Sequence, residues 1–268
     1  MSLAFAALLP HPKKLLSADK TKYPKTLAAF AEVSEKITEK KPATLVVISP
    51  RSIGPLDPFS PPPTEANAFY VRNLDKIQAF VPEAPADLPT QVFDNDTTWL
   101  EQLKERVRPF GATIMDTPQI KLDEPTSRAV MGLRISSTAQ PKLLSLNLPY
   151  HTPQKLFEFG KLLGAVIAAK EEAVGLIAVG DLSSRLSTES PAGHKVEGKI
   201  FDEAVTHAAE KNLFEDILVL KPEISEAAGE DALRPLAVAF GVAHARLKSR
   251  LLSYEAPEGT GHAVIMWG

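Results

Sequence analysis

Short apolar runs alternate along this chain with longer stretches whose apolar residues recur every three to four positions. The runs Leu3–Leu9, Thr44–Ser49, Thr113–Asp116, Lys142–Leu148, Val174–Gly180, Arg246–Ser253 and His262–Trp267 read as strands. Helical spacing is found between them, over about Thr26–Glu39, Thr98–Val107, Thr126–Ile135, Pro153–Ala169, Phe201–Lys211 and Asp231–Val242. Asp96 or Thr98 is placed to cap the second helix, and Pro153, after Thr152, suits a first helical turn. The alternation predicts an α/β layered fold. One segment breaks it: Pro55–Pro63 has proline at five of nine positions, so neither a helix nor a central strand runs through it. It reads as a surface loop, or as a lid or partner contact beside Arg51.

Composition narrows the class. The chain has 268 residues, 44% hydrophobic and 24% charged, which suits one large domain over residues 1–268 with a sizeable core. A net charge of −3 gives no broad basic field, so neither nucleic acid nor an anionic membrane is expected as the main partner. Clusters such as Lys13-Lys14 and Glu39-Lys40-Lys41 are too local to change this. Cysteine is absent, which excludes disulfides, thiolate metal sites and cysteine nucleophiles. Leu3–Leu9 is too short to span a bilayer and lacks the basic flank of a secretory signal. It reads as a buried first strand, and cytoplasmic residence is expected.

The candidate chemistry gathers at strand ends. His11, Arg51 and Ser184 each follow a strand-like run by a few residues, and in open α/β sheets ligands collect outside the carboxyl ends of the strands. Glu230 instead opens a helix, after the small turn Ala227-Ala228-Gly229, where a carboxylate suits the positive helix end and is also open to a cation. Each has an ordinary alternative, a hydrogen-bonding histidine or a helix cap.

Four phrases change the weight of these residues. Leu3 to Pro12 ends in Pro10-His11-Pro12; Leu45 to Arg51 in Ser49-Pro50-Arg51; Ala178 to Ser184 contains Gly180-Asp181-Leu182-Ser183-Ser184; and Ala227 to Asp231 holds Gly229-Glu230. Further phrases follow the same order, namely Ser190-Pro191-Ala192-Gly193-His194, Phe201-Asp202, Leu233-Arg234 and Ser253-Tyr254 through Gly261-His262. Together they resemble the LigB-like, class III extradiol dioxygenase superfamily, in its bacterial branch related to Memo-type proteins. The resemblance implies a three-layer α/β/α sandwich with a mixed central sheet. It also implies a non-haem Fe(II) site that opens aromatic rings with oxygen, held by two histidines and a carboxylate.

On that pattern His11 matches the first iron ligand and Glu230 the carboxylate. The second ligand histidine falls on Arg51, the acid/base histidine on Ser184, and a further pocket histidine on Glu124, after Asp123. The expected pocket residues are therefore Arg51, Asp123, Glu124, Asp181, Ser184 and His194. His194 and His262 stand where the family tends to carry tyrosine, and no role is assigned to His151, His207 or His244.

The replacements matter chemically. Arginine stays protonated and has no lone pair for a metal, and serine is a poor heir to a proton-transfer imidazole. Gly180-Asp181-Leu182-Ser183-Ser184 also lacks the glycine after the serine that a nucleophile elbow needs. The iron site thus reads as degenerate, and the residues leave open whether any cofactor is bound. Arg51 is expected to sit where iron would be and to pair with Glu230, with Glu124 as a second partner. Three functions follow: a non-catalytic binding protein or partner subunit, an Fe(II) dioxygenase with a rearranged ligand set, or other chemistry on an anionic substrate held by Arg51. The partners expected are a small aromatic or anionic molecule, and a second copy or a related subunit.

Overall fold

A computed structural model describes residues 2–17, 19, 21–51, 68–137, 140–190 and 192–268; the proline-rich segment Pro55–Pro63 lies outside them. The chain runs through β1 (Leu3–Leu9), α1 (Pro24–Lys40), β2 (Thr44–Ser49), β3 (Phe69–Arg72), β4 (Lys76–Ala79) and β5 (Gln91–Asp94). Next come α2 (Thr97–Val107), β6 (Ile114–Thr117), α3 (Glu124–Gly132), β7 (Lys142–Asn147), α4 (Pro153–Ala168) and β8 (Val174–Val179). It closes with α5 (Val196–Lys211), α6 (Glu215–Leu218), α7 (Pro222–Ala228), α8 (Leu233–Ala243), β9 (Ser249–Glu255) and β10 (His262–Trp267).

Eight strands form one mixed sheet in the order β6-β3-β7-β2-β8-β1-β10-β9. β7, β2, β8 and β1 are mutually parallel; β10 runs antiparallel to β1, and β3 to β7. β4 and β5 form a separate antiparallel pair.

Both faces of the sheet are covered, which is why its central strands read as nearly unbroken apolar runs. Along β1, Ala6 and Leu8 face the core built with α2, α4, α5 and α8, while Phe5, Ala7 and Leu9 face α1, α3 and the β4–β5 pair. The arrangement is the three-layer α/β/α sandwich. Among the described residues no helix is long and apolar enough to cross a membrane.

The element boundaries shift modestly from the pattern-based reading. α5 starts at Val196, five residues before the expected Phe201, because exposed Val196 and Ile200 blur its apolar stripe. The last antiparallel pair uses Ser249–Glu255 rather than Arg246–Ser253. Asp96 does precede α2 but makes no side-chain cap bond, being held instead by Thr44 and Lys170. Thr152 and Pro153 start α4 as expected, the threonine hydroxyl accepting the Lys155 amide.

The closest helix contact is between α4 and α8. A Cβ on Gly241 would meet the Phe157 carbonyl and stand 2.8 Å from the Gly160 Cα, so two glycines are needed for the backbones to touch. Backbone cannot swing away as a side-chain tip can. Gly241→Ala is expected to destabilise the protein by about 1–3 kcal/mol, the range for overpacking a tight interior. A urea midpoint unmoved from the parent protein would contradict that packing.

Candidate functional site

The parallel strands deliver their carboxyl ends to one rim, where a cavity of about 540 Å³ opens. His11 follows β1, Arg51 follows β2, and Asp181, Leu182 and Ser184 follow β8. The turn before α8 adds Gly229, Glu230 and Asp231, and α3 adds Glu124 and Arg128.

His11 lies between two aspartates. Its Nε2 is 3.1 Å from Asp231 Oδ2, its Nδ1 is 3.4 Å from Asp181 Oδ2, and its backbone amide donates to Asp181 Oδ1 at 2.9 Å. Burial disfavours the imidazolium, but the Asp181 charge, then the hydrogen bond and charge of Asp231, outweigh it and push the His11 pKa up to about 9. His11 therefore carries its proton at neutral pH. Burial likewise works against ionised Asp181, yet the two imidazoles beside it and the His11 amide hold its pKa down at about 2.

Asp181 also binds a second ring, accepting His262 Nδ1 at 2.9 Å. The His262 ring is buried and meets Tyr23 edge-on, with centroids 5.4 Å apart. The Tyr23 hydroxyl donates to Glu258 at 2.8 Å, which closes that wall of the cavity. Sequence reasoning missed Tyr23 and Glu258 as site residues and placed His262 only in a phrase close to the family pocket, because no local pattern ties residues so far apart in the chain.

The two aspartates are locked to each other. The Asp181 amide donates to Asp231 Oδ1 at 2.7 Å, and the Asp231 amide to the Asp181 carbonyl at 3.2 Å. Gly180 permits this approach, since a Cβ there would stand 2.9 Å from the Asp231 carbonyl oxygen.

Glu230 has a different place from the one expected. One carboxylate oxygen accepts from the Ser225 hydroxyl at 2.5 Å and the other from the Leu233 amide at 2.6 Å, so it caps the start of α8. Burial raises its pKa to about 7 against both hydrogen bonds. The carboxylate that faces His11 belongs to the next residue, Asp231, which the sequence reading passed over. Arg51 follows the same correction: its guanidinium is 3.9 Å from Asp231 Oδ2, not paired with Glu230. Glu124 is not its second partner either, since it pairs with Arg128 one turn along α3.

Of the remaining expected pocket residues, Ser184 lines the cavity with its hydroxyl donating to the Gly229 carbonyl at 2.8 Å. Asp123 and His194 are not among the lining residues. Asp123 works from behind. It caps α3 through the Thr126 amide and accepts the Ser49 hydroxyl at 2.7 Å; Ser49 Oγ in turn accepts the Arg51 amide at 3.0 Å. Asn147 donates to the Arg51 carbonyl at 2.8 Å and is itself held by buried Arg72 at 2.8 Å. Arg234 fixes the preceding Pro50 carbonyl at 2.9 Å. The backbone that presents Arg51 is therefore pinned on both sides.

Phrases toward the end of the chain meet in a second cluster, outside the cavity lining. Buried Asp202 accepts the Ser183 amide at 2.8 Å and the Tyr254 hydroxyl at 2.7 Å, and a side chain at Gly261 would collide with it. Desolvation lifts the Asp202 pKa to about 6.

Comparison with known proteins fits this architecture. Residues 140–265 match the family model of the catalytic LigB subunit of aromatic ring-opening dioxygenase. Protein CA_C1420 of Clostridium acetobutylicum is 30% identical over 112 residues, or 41% of this chain. That match spans only 24% of the relative's own length. The crystal structure of uncharacterized protein JW3007 from Escherichia coli K12 superposes with a TM-score of 0.67 over 98% of this chain and 99% of that one. At 14% identity it establishes a shared fold alone. Over residues 140–265, somewhat under half of its length, the chain is similar to the LigB family.

Proposed function

We propose that this LigB-like protein is not a ring-opening dioxygenase but a binding protein, or the silent partner subunit of an assembly, that keeps the family's pocket. The observation that carries this reading is Arg51, whose guanidinium stands 3.9 Å from the same Asp231 carboxylate that faces His11 Nε2.

The resemblance implies ferrous iron, and the residues present do not fit it. Arg51 has no lone pair to give, both oxygens of Glu230 are engaged at the head of α8, and both nitrogens of His11 face carboxylates. Among the described residues no group of three or more His, Asp or Glu side chains is placed to hold a metal ion. The charges balance without one. The imidazolium of His11 and the guanidinium of Arg51 set two positive charges against the carboxylates of Asp181 and Asp231, as a divalent ion would. The acid/base role fares no better, since the Ser184 hydroxyl is committed to a backbone carbonyl.

Anaerobic reconstitution with ferrous iron, followed by dialysis and metal analysis, tests the proposal together with catechol-dependent oxygen uptake. The expected result is iron far below one per chain and no oxygen uptake. One iron per chain, lost in His11→Gln, with a ring-opened product would overturn it in favour of an oxygenase with a rearranged ligand set.

A further inference from the structure

We infer that the cavity is a docking site for a small organic carboxylate, taken up by the planar fork of Arg51 with Lys13 in the same lining. The inference rests on the metal-free reading above and names the ligand class for that pocket.

It follows from which charged groups in the cavity already have partners. Glu124 accepts from Arg128, Asp181 from the His11 amide and His262, and Asp231 from the Asp181 amide. Glu230 is held by Ser225 and the Leu233 amide, and Glu258 by Tyr23, Lys22 and Lys14. Every lining carboxylate thus receives hydrogen bonds. Of the cations, His11 and Arg128 are engaged in the same way. Two remain: among the described residues neither the Lys13 ammonium nor the Arg51 guanidinium donates a hydrogen bond, and the nearest carboxylate to Arg51 is 3.9 Å away. The charged groups still without a hydrogen bond at this mouth are these two cations, so a ligand that engages both is an anion.

Arg51 is set up for that task. Its backbone is clamped by Ser49 and Asn147, with Asp123 and Arg72 behind them, so only the side chain is left for binding to order. A guanidinium fork matches a carboxylate with two parallel hydrogen bonds. The rest of the lining supplies Pro12, Tyr23, Pro125 and Leu182 for an apolar body, and a volume near 540 Å³ admits an aromatic ring with room to spare.

Benzoate and inorganic phosphate, titrated separately into the purified chain at low salt and followed by amide chemical shifts, provide the test. Benzoate is expected to bind saturably, with shifts at residues 11–13, 49–51 and 229–231. Arg51→Gln, at a side chain 58% exposed and hence tolerant of change, should weaken it roughly tenfold to a hundredfold, as loss of a charge-assisted pair does. Arg51→Lys should lose nearly as much because it keeps the charge and not the fork. Lys13→Gln should give a smaller loss that vanishes at high salt. Affinity unchanged in Arg51→Gln, no saturable benzoate binding, or Arg51-dependent binding of phosphate alone would each overturn the inference. None of these outcomes would place iron in the pocket, so failure here and failure of the metal-free reading are told apart by metal analysis.

Discussion

Arg51→His is expected to convert the cavity into a divalent-metal site. The introduced imidazole would bring a lone pair to the position where the guanidinium now faces Asp231, and would remove the fixed positive charge that repels a cation. With His11 and Asp231 already facing each other at 3.1 Å, the set would become two imidazoles and one carboxylate, a donor combination suited to ferrous iron. Affinity for a divalent first-row ion should rise by about 100-fold or more, because even groups that only orient a ligand change metal affinity 10–100-fold. Binding should also release close to one proton, since His11, with its pKa raised to about 9, must give up its proton to ligate. Calorimetry in two buffers of different ionisation enthalpy reads both quantities. If the variant binds no more tightly than the parent, Arg51 is not what closes the site.

Much of the fold was legible because the sheet is buried on both faces. β1, β2 and β10 stand where the apolar runs place them, to the residue. β3, β4 and β5 were not anticipated. Each has only four residues, with a charged or polar side chain ending Phe69–Arg72, flanking Gln91–Asp94 on both sides and alternating through Lys76–Ala79, so each apolar run is too short to rise above its surroundings. The short helices α6 and α7 escaped for the same reason of length.

The rim was legible too, since a residue just past the end of a parallel strand has few other places to go. His11, Arg51, Asp181, Glu124 and Ser184 do line one cavity. What sequence could not decide was which of two adjacent carboxylates, Glu230 or Asp231, turns inward. The choice depends on a tertiary approach, Asp231 against the turn after β8, and its only trace in the sequence is the glycine at position 180 that makes room for it. The pair Glu124–Arg128 was open to prediction, because oppositely charged residues four apart on a helix face each other. The expected pairing of Glu124 with Arg51 hid that simpler reading.

Asp181→Asn should be the most damaging single change at the site. Asp181 is 14% exposed at its side chain and carries the charge facing both imidazoles. Asparagine can still accept the His11 amide and one ring N–H, but it leaves the imidazolium short of a counter-charge in a desolvated setting. Breaking a buried pair in this way typically costs about 3–5 kcal/mol. The pH dependence separates the electrostatic part from simple packing. A histidine raised from 6.5 to about 9 by folding stabilises fully below pH 6.5, and that contribution, about 3 kcal/mol, is lost as pH rises through 9. Asp202 and Glu230, raised to about 6 and about 7, slope the same way only at lower pH, so the interval from about pH 7.5 to 9 reports mainly His11. In the parent protein the urea midpoint should fall steeply across that interval. In Asp181→Asn it should start lower and fall less, with Asp231 left as the only carboxylate on the ring. Equal slopes in the two proteins would mean that Asp181 does not hold the His11 proton, and the balance of two cations against two carboxylates would lose its basis.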